Sequence, residues 1–382
     1  MPSTPKRFSS IDIIRGAVMV LMALDHVRVF SAVPAGAPAP SVFFTRWITN
    51  FCAPAFIFFA GTSAFLHGDK LRDMRALSKY LIVRGALLIV FEMTVSRLSW
   101  TFNLDFYNYT EANVIWAIGW SMIILAALIH LPVRAVAAFG LVIIAGHNIT
   151  DYFQKPLEPL SNIHFFQILY FGGEFRWLDT GPKLVVLYSI IPWAGVIAAG
   201  YAFGVIMQMD DDVRRHWCRR IGLGAIALFI ALRGFNGYGN PAHWSSDSPL
   251  FFLATTKYPA SLQFLLMTLG PCIALIPLLE RTRSWMSETL TVFGRVPLFY
   301  YLLHIPFIHL VTVLISLVRS PSATWWLFLN HPLRIPPAPE GYRYPLPLLY
   351  LVTLLVVVAL YFPCRWYGPF KSRHRDSWLK YL

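Results

Sequence analysis

Residues 12–31 read DIIRGAVMVLMALDHVRVFS. As a helix rising about 1.5 Å per residue, such a stretch reaches about 30 Å, the thickness of a bilayer's hydrocarbon core. It is mostly apolar, yet it carries Asp12, Arg15, Asp25, His26 and Arg28. An ionisable group at the centre of a span costs roughly 2.5–3.5 kcal/mol on insertion scales, so it is expected to face a cavity or a partner. At about 100° per residue, the helical path from Arg15 to His26 returns to within roughly 20° of the same face while climbing about 16 Å. One stripe thus joins an arginine near one mouth of the span to a histidine beyond its midplane.

The rest of the 382-residue chain has the same character, with 57% hydrophobic, 16% aromatic and only 13% charged residues. Spans are expected near 12–31, 48–67, 76–97, 113–131, 133–150, 183–207, 219–236, 259–279, 290–318 and 345–362. This predicts an all-α polytopic integral membrane protein of about ten helices, with no room for a separate soluble domain. Placing the N-terminus in the cytoplasm gathers Lys6, Arg7, Lys70, Arg72, Arg75, Lys79, Arg214, Arg215, Arg219, Arg220, Arg281, Arg283, Arg365, Lys371, Arg373, Arg375 and Lys380 on one side. That asymmetry predicts an even number of spans and both termini cytoplasmic. The small-residue stretch SAVPAGAPAP after the first span could be read as a cleavage site, but a charge-bearing apolar region argues for an uncleaved first helix.

The net charge of +13 comes from residues between spans, not from a basic helix face or an aromatic-studded strand, so nucleic acid is not an expected partner. Cys52, Cys218, Cys272 and Cys364 stand singly without CxxC or Cys/His ligand spacing, so packing roles and no metal are expected. The other set of connections, among them WTFNLDFYNYTEAN, the 151–182 segment, NGYGNPAHWSSDSPL and NHPLRIPPAPEGYRYP, is rich in Asn, Trp, Tyr, Pro and His. Such residues serve as interfacial anchors or as flat faces and amides for a sugar-like ligand, and both readings stand. No internal repeat of the transporter kind is visible.

Further ionisable residues fall in the third span (Arg84, Glu92, Arg97) and the ninth (Arg295, His304, His309). Snorkelling or pairing between helices, for example of Glu92 with an arginine, competes with chemistry, and a structural role is expected for Arg28, Arg97 and His309. His26, with an ordinary pKa of about 6.5, is the natural proton acceptor at neutral pH. Its neighbour Asp25 points about 100° away around the helix, so it is expected to serve another helix, an acceptor or the imidazolium at longer range rather than to orient the ring. An always-charged Arg15 suits a phosphate-bearing ligand. Asn50, Thr62 and Ser63 in the second span and Tyr300 and His304 in the ninth are polar groups in spans expected to pack near the first, as helix-packing hydrogen bonds or as members of a site.

These residues resemble a known family. RFSSIDIIRGAVMVLMALDHVRVF and FTRWITNFCAPAFIFFAGTSAFL, followed by VIWAIGWSMI, IPWAGVIAAGYAFG, TKYPASLQFLLMTLGP, FGRVPLFYYLLHIPFIHL and PCRWYGPFKSRHRDSWLKYL, are similar in order and spread to the heparan-alpha-glucosaminide N-acetyltransferase catalytic-domain family. The spacing from Arg15 to His26 is also similar to the start of bacterial membrane O-acyltransferases. The resemblance implies a single transmembrane acyltransferase domain over residues 1–382, moving an acetyl group from cytosolic acyl-CoA to an amine or hydroxyl of an extracytoplasmic carbohydrate. It implies His26 as catalytic base or acyl relay beside Asp25. It also implies Arg15 as a candidate for the coenzyme's phosphates; for such chemistry Arg84 and Arg295 in the spans are further candidates for the coenzyme, and Asn50, Lys257 and His304 for the acceptor. Acetyl-CoA would be a co-substrate, membrane lipids the surroundings and a bacterial cytoplasmic membrane the location; a homo-oligomer is compatible with this reading. The alternative is a proton-coupled transporter or flippase relaying through Asp25, His26, Glu92 and Arg84.

Overall fold

The computed structural model describes residues 8–34, 39–245, 248–330, 337–374 and 378–381. Lys6, Arg7 and Arg375 of the charge-asymmetry reading lie outside them, as do residues 331–336 of the last long connection. Of the described residues, 77% are helix and 4% strand. Its first half holds α1 (Ser9–Phe30), α2 (Pro40–Trp47), α3 (Cys52–Leu71), α4 (Met74–Phe91), α5 (Arg97–Thr101), α6 (Val114–Leu128) and α7 (Val133–Gly146). After the short α8 (Gln154–Ser161) and α9 (His164–Phe166) come α10 (Ile190–Gln208), α11 (Asp211–Phe235) and the brief α12 (Pro249–Leu253). The last four are α13 (Leu262–Leu279), α14 (Trp285–Arg295), α15 (Pro297–Arg319) and α16 (Leu346–Arg373).

Among the described residues, six helical stretches are long and apolar enough to cross a membrane: Pro40–Leu71, Val133–Phe153, Ile190–Gln208, Leu262–Leu279, Pro297–Arg319 and Leu346–Arg373. The chain is accordingly an integral membrane protein. Three more of the expected spans form long helices interrupted by charge: Asp12, Arg15, Asp25 and Arg28 in α1, Arg75, Lys79 and Arg84 in α4, and Arg219, Arg220 and Arg233 in α11. The fourth expected span, 113–131, is a helix of only 15 residues.

The expected ninth span, 290–318, is not one helix. It breaks at Val296 (φ −130°, ψ 49°), and α15 restarts at Pro297. Proline has no N–H for the preceding turn and its ring pushes the residue before it out of helical geometry, so the break is written in the sequence. Gly16 faces Leu290 and Gly294 faces Asp12, so α1 and α14 touch in opposite sequence order. A Cβ at either glycine would collide with main-chain carbonyl oxygen, and this pair of small residues is what lets the two helices close up.

The connections also hold a small sheet that an all-helical reading omits. β1 (Thr110–Ala112) pairs in parallel with β3 (Lys183–Val186), which pairs antiparallel with β2 (Gly173–Arg176). Strands this short carry too few alternations to be seen in sequence, and their pairing joins segments about seventy residues apart. The sheet lies at the end of the bundle where Phe30 leaves α1, here termed the distal end. There Trp100 stacks on Phe30 with centroids 5.2 Å apart, and the Arg97 Nε donates to the Tyr109 carbonyl (2.9 Å), one residue before β1. At the opposite, proximal end the Arg214 guanidinium lies 5.1 Å from the Phe8 ring and pairs with Glu280 (2.7 Å) just beyond α13.

Candidate active site

His26 sits one turn before the end of α1, and its Nδ1 lies 2.7 Å from Nε2 of His304 on α15. His304 is fully buried, and its own Nδ1 faces two carbonyls of the preceding turn, Tyr301 at 2.6 Å and Tyr300 at 3.2 Å. A nitrogen against carbonyl oxygens must carry the proton, so Nδ1 of a neutral His304 donates and its Nε2 accepts. It follows that His26 Nδ1–H is the donor between the rings and that the lone pair of His26 is on Nε2. Trp100 packs edge-on against the His26 ring at 4.8 Å, fixing its plane. The pair thus does for His26 what a carboxylate does in a catalytic triad: it selects the tautomer and orients the ring. His304, expected to bind acceptor, instead spends its acceptor nitrogen on His26.

Asp25 takes no part in that orientation. Its Oδ1 accepts from Arg28 Nε at 3.0 Å on the same helix, while Arg28 Nη1 donates to the Val33 carbonyl (2.8 Å) just past the helix end. The expected structural role of Arg28 matches these bonds. Two further cations lie within electrostatic range of Asp25: Arg46 on α2, and Lys257, whose Nζ lies 5.6 Å and 5.2 Å from the rings of Tyr188 and Tyr258. Cations therefore outnumber the single carboxylate beside His26. Asn50 reaches this cluster through its Oδ1, which accepts from Arg46 Nη1 at 2.5 Å.

Arg46, Tyr188 and Trp100 were not singled out from sequence. The i, i+4 relation of Arg46 to Asn50 across the α2–α3 junction was the available signal for the first; the other two come from distant segments and had none.

The remaining candidates are distributed differently. Arg15 Nη2 donates to Ser63 Oγ (2.7 Å) and to the Phe59 carbonyl, tying α1 to α3 well below His26. Thr62 Oγ1 donates to the Gly200 carbonyl (2.9 Å), a bond that packs α3 on α10. Arg84 bonds the Tyr80 hydroxyl (2.8 Å) beside His67, near the end of α3. Arg295 is exposed at the end of α14, outside any spanning helix. Tyr300 is buried, and its hydroxyl has no hydrogen-bond partner among the described residues.

Glu92 does not meet an arginine as the sequence suggested. Its Oε2 accepts from the main-chain N–H of Ile115 (3.1 Å) and Trp116 (3.3 Å), capping α6, whose own N-cap Asn113 makes no side-chain cap bond. A carboxyl oxygen there accepts from donors that the helix itself leaves unpaired. Asp25, His26, Glu92 and Arg84, the members of a proton-relay reading, are thus each engaged with a different partner. Arg97 is likewise occupied, donating to the carbonyls of Tyr109 and Asp105 (2.9 and 2.7 Å) and to that of Asn103. All four cysteines are buried and free, and Cys52 Sγ donates to the Val18 carbonyl at 3.2 Å. Among the described residues no three His, Cys, Asp or Glu side chains gather as they would around a metal ion.

Fold and site define a helical membrane protein with a half-buried histidine oriented by a fully buried one on a second helix. Residues 7–234 match the family described as heparan-alpha-glucosaminide N-acetyltransferase, catalytic, and the chain belongs to that family. It is therefore a membrane acetyltransferase in general character. No curated protein matches the chain.

Proposed function

We propose that the chain transfers an acetyl group from cytosolic acetyl-CoA to an amine or hydroxyl of an extracytoplasmic carbohydrate, with His26 at the reacting centre. The observation that carries the reading is the His26–His304 bond, which leaves Nε2 of an oriented ring as the free base. As a base, Nε2 removes the proton of the attacking amine or hydroxyl as that group bonds to the thioester carbonyl carbon; the carbon–sulfur bond then breaks and Nε2 returns the proton to the departing thiolate. As a relay, Nε2 itself attacks the carbonyl, CoA departs, and the acceptor then takes the acetyl group from the imidazole. Asp25, the neighbouring active-site residue in this reading, offsets part of the positive charge of Arg28, Arg46 and Lys257, whose remainder favours a developing oxyanion.

In this reading both termini are cytoplasmic, about ten helices cross, and α1 carries the path between the two sides in a bacterial cytoplasmic membrane. Arg15 and Arg84, on the proximal side of His26, and Arg295 are the groups assigned to the coenzyme's phosphates. Lys257 and Asn50 face the acceptor with Tyr188 and Tyr258, while lipids surround the bundle. The whole of residues 1–382 acts as one domain, and a homo-oligomer is compatible with it.

The test is CoA release by the detergent-purified chain given acetyl-CoA, with and without an amino sugar. His26→Ala is expected to lower it by about 10³-fold, and mass spectrometry of acid-quenched protein separates an acetyl-histidine from direct transfer. Full transfer by His26→Ala would refute the mechanism; flux of a solute across proteoliposomes without CoA release would favour a transporter.

A further inference from the structure

Part of the chain's positive charge surrounds a cavity at the proximal end that contains none of the residues assigned to acyl transfer. α3 runs from Cys52, beside the Arg46–Asn50 bond, to Leu71, so α4 starts at the proximal end and the antiparallel α6 finishes there. Between the first three turns of α4 and the end of α6 lies an open cavity of about 300 Å³. It is lined by Arg75, Ser78, Lys79, Ile82 and Val83 of α4 and by His130 just past α6. The two helices close up beside it: Ser78 Oγ donates to the Ala126 carbonyl (2.9 Å), and a Cβ at Gly85 or Gly119 would strike the main-chain oxygen of the other.

Arg75, Lys79 and Val83 recur at every fourth residue, so one face of α4 passes from two cations to apolar side chains. Arg75 and Lys79 are exposed, and among the described residues neither side chain makes a hydrogen bond or ion pair. The acid closest in sequence, Asp73, is turned to the helix end, where its Oδ1 accepts from the main-chain N–H of Arg75 (2.8 Å) and Ala76 (3.2 Å). Two like charges one turn apart repel each other, and an anion between them relieves that repulsion. An arginine fork, an ammonium and the ring N–H of His130 are donors that suit phosphate oxygens. Beyond the cavity the same side of α4 leaves Ile82, Ala86 and Val90 exposed, with Ile82 at 47% and Val90 at 53%. On an integral membrane protein that stripe meets acyl chains, so the occupant that fits both halves is amphiphilic.

We propose that this cavity binds the headgroup phosphate of an anionic phospholipid, with Arg75 and Lys79 holding the phosphate and an acyl chain lying along Ile82, Ala86 and Val90. Basic pockets between helix ends take such headgroups, because each cation near the membrane surface favours an anionic lipid. A zwitterionic lipid offers the same phosphate, but its ammonium group is repelled by the same two cations, so the site selects net charge. A soluble phosphate compound has nothing to lay on the apolar stripe.

Native mass spectrometry of the detergent-purified full chain, titrated with phosphatidylglycerol or phosphatidylcholine, tests this without any turnover. The first phosphatidylglycerol is expected to bind about tenfold more tightly than the first phosphatidylcholine. Arg75→Gln with Lys79→Gln should remove that preference. So should Val83→Trp, which fills the cavity and keeps both cations, with thermal melting reporting that the variants fold. Arg281→Gln with Arg283→Gln takes the same charge from the same end outside the cavity and should leave the preference within about twofold. His26→Ala should bind the lipid as the wild type does, so failure of the acyl-transfer reading leaves this result readable. No preference in the wild type, an equal loss in the Arg281 and Arg283 variant, or no loss in both cavity variants overturns the proposal. So does displacement of the lipid by an equal concentration of coenzyme A, since the cavity would then be a site for soluble phosphate.

Discussion

His304 and His309 stand on one helix, both buried, both with Nδ1 against a main-chain carbonyl. Their second nitrogens differ. Nε2 of His304 accepts from His26, whereas Nε2 of His309 has no hydrogen-bond partner among the described residues and its ring lies stacked on Phe102 at 3.9 Å and near Phe30 at 4.7 Å. A carbonyl bond to Nδ1 fixes the tautomer in both cases. Only the histidine whose remaining lone pair meets another titratable ring can transmit that choice. The residue type and its burial are therefore poor guides to a functional histidine; the partner of the second nitrogen is the better one.

Variants that break the first region should have the largest effect. His26→Ala is expected to lower the rate of CoA release with acceptor by about 10³-fold, within the range of a lost general base. His304→Ala should cost about 10²-fold in kcat with little change in acceptor KM, because the base is present but no longer held in one tautomer. His304→Gln should recover part of that loss, since its amide oxygen can still accept from His26 Nδ1–H; equal activity of the Ala and Gln variants would mean that His304 only fills space.

A third buried group sharpens the comparison through pH. Burial in the fold pushes the Glu111 carboxyl on β1 up to about 7 against 4.5 for the free group, so the folded state holds its proton more tightly. Stability from this carboxyl is complete below about 4.5 and is lost as the pH rises through about 7. Melting temperature should thus fall between pH 5 and 8 in the wild type and fall less in Glu111→Gln. An identical slope in both proteins would remove Glu111 as the cause. The smallest effect is expected from His309→Phe, which should leave acyl transfer within about twofold and cost about 1 kcal/mol of stability, one hydrogen bond to the Ser99 carbonyl. A large loss of activity there would erase the distinction between the two histidines.

The legible part of this protein was local. Twenty mostly apolar residues with Arg15, Asp25 and His26 on a continuous helix could be read directly, because span length and helical period are properties of adjacent residues. Even the break before α15 was announced by Pro297, although the apolar run on both sides concealed it. Arg28, Arg97 and His309 also took up local or structural bonds of the expected kind.

What the sequence determined by itself was the membrane-embedded helical class, the family and the candidate histidine, since each rests on composition, period or motif order. Tertiary structure alone decided which groups meet. His304 orients His26 across 278 residues of chain, Glu92 caps a helix rather than pairing with an arginine, and Arg46 bonds Asn50 within electrostatic range of Asp25. Hydrogen bonds and ion pairs act over a few ångströms in space, and nothing in the period of a single helix records which neighbour will occupy that distance.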